Sequence, residues 1–193
     1  MKIRHSHLFI TALLSLSLLS TSSWAAELSK KEWYVQLYAS SADEQLKDNN
    51  SLLGQLQDSS NGSDNHDLEE LPPFATPYLT VVFPHPEWEA QAGDYATDYH
   101  STKHKRHIWR FEIRTDKSDR DISLSWNSSH APQKPKMWLV DSATGTVIKA
   151  QGKGKRAAVN HYSFNMDGET VRSFYWVRGG KKLAKKQLPE TTR

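Results

Sequence analysis

In Ile108-Trp109-Arg110-Phe111-Glu112-Ile113-Arg114, apolar and charged residues alternate without a break from Trp109 onward. Trp109, Phe111 and Ile113 fall on one side, and Arg110, Glu112 and Arg114 on the other. A two-residue period of this kind belongs to a strand with one dry face and one wet face. Ile122, Leu124 and Trp126 repeat it a few residues on. Six further runs have the same character: 33–38, 78–83, 137–140, 146–149, 162–166 and 171–177. Each is short, rich in aromatic and β-branched residues, and bounded by Gly, Pro, Asn, Asp or Ser. Asp141 to Gly145 reads as a hairpin connection, and Asp167-Gly168 is the strongest turn signal.

Eight short strands punctuated by turns predict an all-β, two-sheet antiparallel sandwich of seven to nine strands. The one helical candidate is Asp43 to Leu56, where Leu46, Leu53 and Leu56 share a helical face. An irregular or short-helical segment near the mature N-terminus is therefore expected. Asp58 to Pro77 reads as a polar loop running into a proline-rich extended stretch.

The first 25 residues have the three parts of a secretory signal. Lys2 and Arg4 precede an apolar stretch from Leu8 to Ser20, and Ser23-Trp24-Ala25 places cleavage before Ala26. The apolar stretch is shorter than the ~20 residues a membrane span needs, so no transmembrane anchor is expected after processing. The domain is expected over 26–178, followed by a disordered basic tail over 179–193, whose lysine-rich composition offers little to bury. The protein is placed in the periplasm or outside the cell, in a bacterial envelope context. The chain has no cysteine, so packing alone must hold the domain, and thiol chemistry is excluded.

Charge is unevenly spread. Asp43 to Glu70 carries eight acidic residues against Lys47, whereas Lys149 to Arg193 carries eleven basic residues against three acidic. Two solvated surfaces account for this layout, which would also steer an acidic partner toward the C-terminal part. With 25 basic and 22 acidic residues overall, the chain has no nucleic-acid footprint.

Several stretches bear on ligands. Asn61 to Asp67, followed by Glu69 and Glu70, packs oxygen-bearing side chains around Gly62, as a calcium loop does. Asp64 and Asp67 are the metal ligands to test there, against the alternative of a solvated Asn/Gly turn. His100, His104 and His107 have zinc-like spacing, but Lys103, Lys105 and Arg106 between them oppose a cation. Gly152 to Ala157 matches a dinucleotide fingerprint only on paper, lacking the strand-turn-helix context. Trp88 stands among Pro84, Pro86 and Tyr95, so Trp88, Tyr95 and Tyr99 are the candidate ligand-binding rings for a carbohydrate. Glu87, Glu89, Asp94 and Asp98 are the carboxylates a glycoside hydrolase would draw on. Neither a nucleophile elbow nor a zinc-protease helix is present, and no enzyme is expected.

Taken together, Leu53-Gly54, Asn61 to Pro73, Val82 to Trp88, Tyr95 to Tyr99, Trp109 to Glu112 and Leu124-Ser125-Trp126 are similar to a known domain. The chain resembles a β-sandwich domain of unassigned function, found ahead of C-terminal sorting or dockerin modules in large bacterial secreted proteins. The resemblance covers roughly 33–177 and implies a sandwich without a known active site. This chain departs from the pattern by ending at Arg193, and Leu188 to Thr192 only echoes a sortase signal. The expected function is a non-catalytic exported module that binds another envelope or extracellular protein. A carbohydrate-binding module is the alternative, and a hydrolase using loop carboxylates the third.

Overall fold

The structure is a computed structural model that describes residues 31–43, 45–151 and 159–188. The expected signal peptide and the Gly152 to Ala157 loop lie outside these residues.

Two sheets face each other. The first has the order β10-β7-β1-β2-β5 and the second β4-β3-β6-β11-β8-β9. In chain order the strands are β1 (Trp33–Ser41), β2 (Lys47–Leu56), β3 (Leu79–His85), β4 (Gly93–Tyr95), β5 (Thr97–Ser101) and β6 (His107–Thr115). They continue as β7 (Asp121–Asn127), β8 (Met137–Asp141), β9 (Val147–Lys149), β10 (Val159–Asn165) and β11 (Val171–Arg178), ahead of a helical turn, α1 (Lys181–Lys185). All neighbours are antiparallel except β2 and β5, which run parallel.

The all-β sandwich is as expected, with eleven strands among the described residues rather than seven to nine. The excess comes from β4 and β5, which are too short and too polar to read as apolar runs, and from β2. The segment 43–56 is not a helix. From Ser51 to Gln55 its side chains alternate, with Ser51, Leu53 and Gln55 turned inward, and the strand pairs with β1 through Leu53↔Val35 and Gly54↔Tyr34. That pairing overrides the helical spacing of the leucines. Gly54 is needed for it, because a Cβ there would lie 2.2 Å from the Trp33 carbonyl oxygen.

The core follows the alternation. Trp109, Phe111 and Ile113 of β6 are fully buried, as are Val35 and Leu37 of β1 and Trp126 of β7. Two edge-to-face tryptophan pairs join the sheets: Trp33 with Trp109 at 5.6 Å, and Trp126 with Trp176 at 5.7 Å between ring centroids. Such pairs add stability beyond the area they bury.

At one end the sheets are also joined by polar groups. Asp141 on β8 accepts from Arg172 Nη2 of β11 at 2.7 Å and from the Tyr162 hydroxyl of β10 at 2.8 Å. Burial alone would raise the Asp141 carboxyl; the guanidinium and the phenol hold it below the usual range.

Residues 179–188, expected to begin a disordered tail, instead fold back on the outer face of the second sheet. Ala184 and Leu188 are buried with Val140 and Val177, and Leu183 packs beside them. Trp138 Nε1–H donates to the Gly179 carbonyl at 3.0 Å. Lysines dominate the composition here, but the three apolar residues among them fall together on one patch of the sheet. The rest of the expected tail, 189–193, lies outside the described residues.

Candidate functional site

After the loop at 58–67, the chain runs beside β4 and β5 before it enters β3. The Leu68 N–H donates to Thr97 Oγ1 at 2.7 Å, the Ala96 N–H to the Leu68 carbonyl at 2.7 Å, and the Glu70 N–H to the Asp94 carbonyl at 2.9 Å. From Leu71 the backbone leaves this support. Pro72, Pro73 and Pro77 have no N–H to give, so the segment cannot continue as a paired strand. It stands off as one wall of a cavity of about 680 Å³ whose other wall is the start of β2. Leu68, Leu71 and Phe74 on this wall are 60%, 63% and 92% exposed.

The floor of this groove is acidic. Asp48 Oδ2 accepts from the Val81 N–H at 2.6 Å and from Thr80 Oγ1 at 3.2 Å, and Glu70 Oε1 accepts from the same hydroxyl at 3.4 Å. Burial, and then the neighbouring Asp48 charge, push the Glu70 carboxyl above its ordinary value. A groove with apolar walls and close carboxylates is suited to a ligand carrying both apolar and cationic groups.

A second polar feature lies between the sheets. Glu87 Oε1 accepts from His85 Nδ1 at 2.7 Å. His85 Nε2 is 3.2 Å from Asp98 Oδ2, and Asp98 Oδ1 is 3.2 Å from His100 Nε2. His100 Nδ1 meets His107 Nδ1 at 2.9 Å, and His107 Nε2 lies 3.0 Å from the His104 carbonyl. A carbonyl can only accept, so the proton on His107 sits on Nε2. Burial and the nearby His100 hold the His107 pKa down at about 4. The ring is then neutral, its Nδ1 accepts, and His100 must donate from Nδ1. Asp98 is 1% exposed. Burial opposes its charge, but the two imidazoles outweigh this and keep its carboxyl below the usual range. For His85, burial is likewise outweighed by Asp98 and Glu87, which raise the ring above 6.5. The line clasps β3, β5 and β6 together.

This line was not legible as a unit, because His85 meets Asp98 and His100 only through the facing of the two sheets, and His107 joins them from β6, the neighbour of β3. Its one sequence signal is the density of histidine at 100–107. Of the three histidines weighed for zinc, His100 and His107 meet each other, while His104 supplies only its carbonyl oxygen to this line. The four carboxylates weighed for hydrolysis part company: Asp94 pairs with Arg114 at 2.6 Å, Glu89 is exposed, and Glu87 and Asp98 are taken up by His85.

Asp64 and Asp67 use their oxygens to shape the loop they sit in. Asp64 Oδ2 accepts from the Ser60 N–H at 2.6 Å and Oδ1 from the His66 N–H at 2.9 Å. Asp67 Oδ2 accepts from the Asp64 N–H at 3.0 Å, and Oδ1 from the Tyr99 N–H of β5 at 3.0 Å. Among the described residues, no set of three or more His, Cys, Asp or Glu side chains is placed to hold a metal ion.

Burial raises the Asp67 pKa to about 6, against the two N–H donors, which lower it. A carboxyl whose folded pKa lies above its unfolded value of about 3.9 stabilises the fold fully below that value and loses its contribution as pH rises through the folded pKa. Wild type is therefore expected to lose stability relative to Asp67→Asn between about pH 4 and pH 7, by roughly 2–3 kcal/mol. Urea melts of both proteins across that range check this, and parallel pH profiles would contradict it.

The three candidate rings do not form a platform. Trp88 stacks on His85 with centroids 3.6 Å apart and meets Tyr95 edge-on at 4.8 Å. Tyr95 is buried, with its hydroxyl donated to the Gln91 carbonyl. Tyr99 lies on β5 opposite Gly54, in register with Tyr34 on the outer face of the first sheet. Trp33, Trp109, Trp126 and Trp176 are all in the core. The groove residues Leu71 and Phe74 escaped the sequence reading because a proline-rich loop gives no periodicity by which to judge exposure. Comparison of the chain with protein-family models, with curated proteins and with solved structures finds no match in any of the three.

Proposed function

We propose that this protein is an exported, non-catalytic β-sandwich module that binds an extended segment of another envelope or extracellular protein in the groove between 68–78 and the start of β2. The observation that carries this reading is the exposure of Leu68, Leu71 and Phe74 within seven residues, with Phe74 at 92%. Single exposed apolar side chains are common, but a run of them on a wall backed by a rigid sheet marks an interaction surface. A phenylalanine with two leucines is the kind of anchor that dominates binding energy once desolvated.

The occupant follows from the groove's chemistry. Prolines on the wall offer few main-chain donors, so side chains must do most of the holding. Asp48, Glu69 and Glu70 outnumber Lys47 in the lining, and so favour basic groups over acidic ones. The partner segment is therefore extended, with apolar side chains on one face and lysine or arginine on the other. Export rests on the N-terminal signal pattern. The carbohydrate alternative loses support because Tyr95 is buried and Tyr99 stands apart from Trp88.

Selection from a displayed library of random 12-residue peptides tests the reading. Enriched sequences should combine apolar and basic residues, and should bind Phe74→Ser at least tenfold more weakly than wild type. Because Phe74 buries almost nothing, that variant should melt as wild type does. A library that yields no binder, or binders indifferent to Phe74→Ser, would count against the groove.

A further inference from the structure

A second cavity, of about 490 Å³, shares no residue with the groove. It lies where three chain segments meet at one end of the second sheet. Arg178, the last residue of β11, pairs with His107 of β6 on one side and Met137 of β8 on the other. The loop before β6 brings Lys105 and Arg106, and the loop before β8 brings Lys134. Pro135, Gly179 and Gly180 complete the lining, and among the described residues no carboxylate contributes to it.

Arg178 is the unusual member. It is 9% exposed, yet its guanidinium is met by neutral groups: Nη1 donates to Gln55 Oε1, and the head lies 5.2 Å from the Trp33 ring centroid. Its Nε is buried with no hydrogen-bond partner among the described residues. Burial pulls its pKa down, and among the described residues no acidic neighbour opposes the shift. A buried cation without a counter-charge is costly, and such groups are ordinarily paired. Elsewhere in this fold the rule is kept, as at Arg172 with Asp141 and Arg114 with Asp94.

We infer that this cavity binds a phosphate-type oxyanion, held by Lys105, Arg106 and Lys134, with Arg178 contributing to the same lining. Four cations around one volume are poorly matched by a carboxylate or a sulfate ester, which brings a single charge. A phosphate monoester carries nearly two, and a diphosphate more. Arginine and lysine together suit it, arginine by its planar fork and lysine as a mobile point charge. The space beside Gly180 is open, since a Cβ there would meet nothing within 4 Å. The ligand source is either a soluble phosphorylated molecule or a lipid headgroup that ends in a phosphate monoester, and both present the same chemistry.

The test uses inorganic pyrophosphate as the soluble probe and vesicles of phosphatidic acid with phosphatidylcholine as the lipid probe. The variant is Lys105→Ala/Arg106→Ala/Lys134→Ala, at three exposed positions whose loss should leave the fold intact. Pyrophosphate should raise the melting temperature saturably beyond sodium chloride at matched ionic strength. Its dissociation constant should weaken at least tenfold in the triple variant. Vesicle sedimentation that also depends on the three residues would assign the site to a headgroup. Pyrophosphate binding without vesicle binding would assign it to a soluble ligand. A pyrophosphate effect no larger than that of chloride, or one unchanged in the triple variant, would overturn the inference. Should the triple variant melt differently without ligand, Gly180→Glu serves as the second test. It places a carboxylate at the cavity while sparing every cation, and should weaken pyrophosphate binding in the same direction.

Discussion

Asp141→Ala is expected to destabilise the protein by about 3–5 kcal/mol, because it leaves a buried guanidinium with only the exposed Asp167 carboxylate, 3.3 Å from Nη1, as counter-charge. The Arg172 side chain is 5% exposed and that of Asp141 fully buried. Asp141 also accepts from Arg172 Nε at 3.3 Å, from Thr144 Oγ1 at 3.0 Å and from the Ala143 N–H at 3.0 Å. Removing it therefore strips partners from β8, β10 and β11 together, and unties the two sheets at that end. In a domain of this size the loss should lower Tm by roughly 10 °C or more. The carboxyl lies below its usual range, so its contribution is present above the unfolded value of about 3.9 and is lost as pH falls below it. Thermal melts at pH 7 and pH 3 check both parts. A drop under about 1 kcal/mol at pH 7 would show that the pair is little better than a surface salt bridge.

Trp109→Ala should cost a similar amount, about 3–5 kcal/mol, through the cavity it opens at the centre of the sandwich. Trp109 touches Trp33 across the sheets and stacks on His100 at 4.8 Å. Its loss should therefore also loosen the histidine line. The proton resonances of His100 and His107 should broaden or shift in the variant, although neither residue has been changed. Unperturbed histidine signals in a destabilised protein would detach the line from the core.

Strand alternation made most of the architecture readable. Trp109, Phe111 and Ile113 face inward as their spacing requires, and so do Ile122, Leu124 and Trp126. Three regions did not follow local pattern, each because a distant contact decided the outcome. At 43–56 the leucine spacing favoured a helix until β1 supplied hydrogen-bonding partners and Gly54 allowed the close approach. At 179–188 the lysines hid Leu183, Ala184 and Leu188, whose worth depends on an apolar sheet surface that local composition does not reveal. At β5 the inward position of a strand is filled by Asp98, a residue that alternation assigns to solvent. Only the imidazoles of His85 and His100 make that position tenable.

The candidate sites were legible to different degrees for the same reason. Asp64 and Asp67 were identified as an oxygen-rich pair, and their oxygens do converge on structured partners, namely backbone N–H groups of the loop and of β5. Trp88 and Tyr95 were identified as neighbours and are in contact, but burial of Tyr95 removes the flat face a sugar needs. The basic cavity joins positions 105, 134 and 178, which no reading along the chain would group. The uneven charge along the sequence gives no sign of it, because the basic stretch from Lys149 to Arg193 supplies only Arg178 of its four cations.

The central claim is that the groove beside Phe74 holds an extended partner segment. Its most direct test is the equilibrium binding of one selected apolar and basic peptide to wild type, Phe74→Ser, Leu71→Ser and Lys134→Glu. Both groove variants should bind at least tenfold more weakly, as removal of a buried anchor does. Lys134→Glu, in the other cavity, should bind as wild type. Equal affinity for wild type, Phe74→Ser and Leu71→Ser would contradict the account.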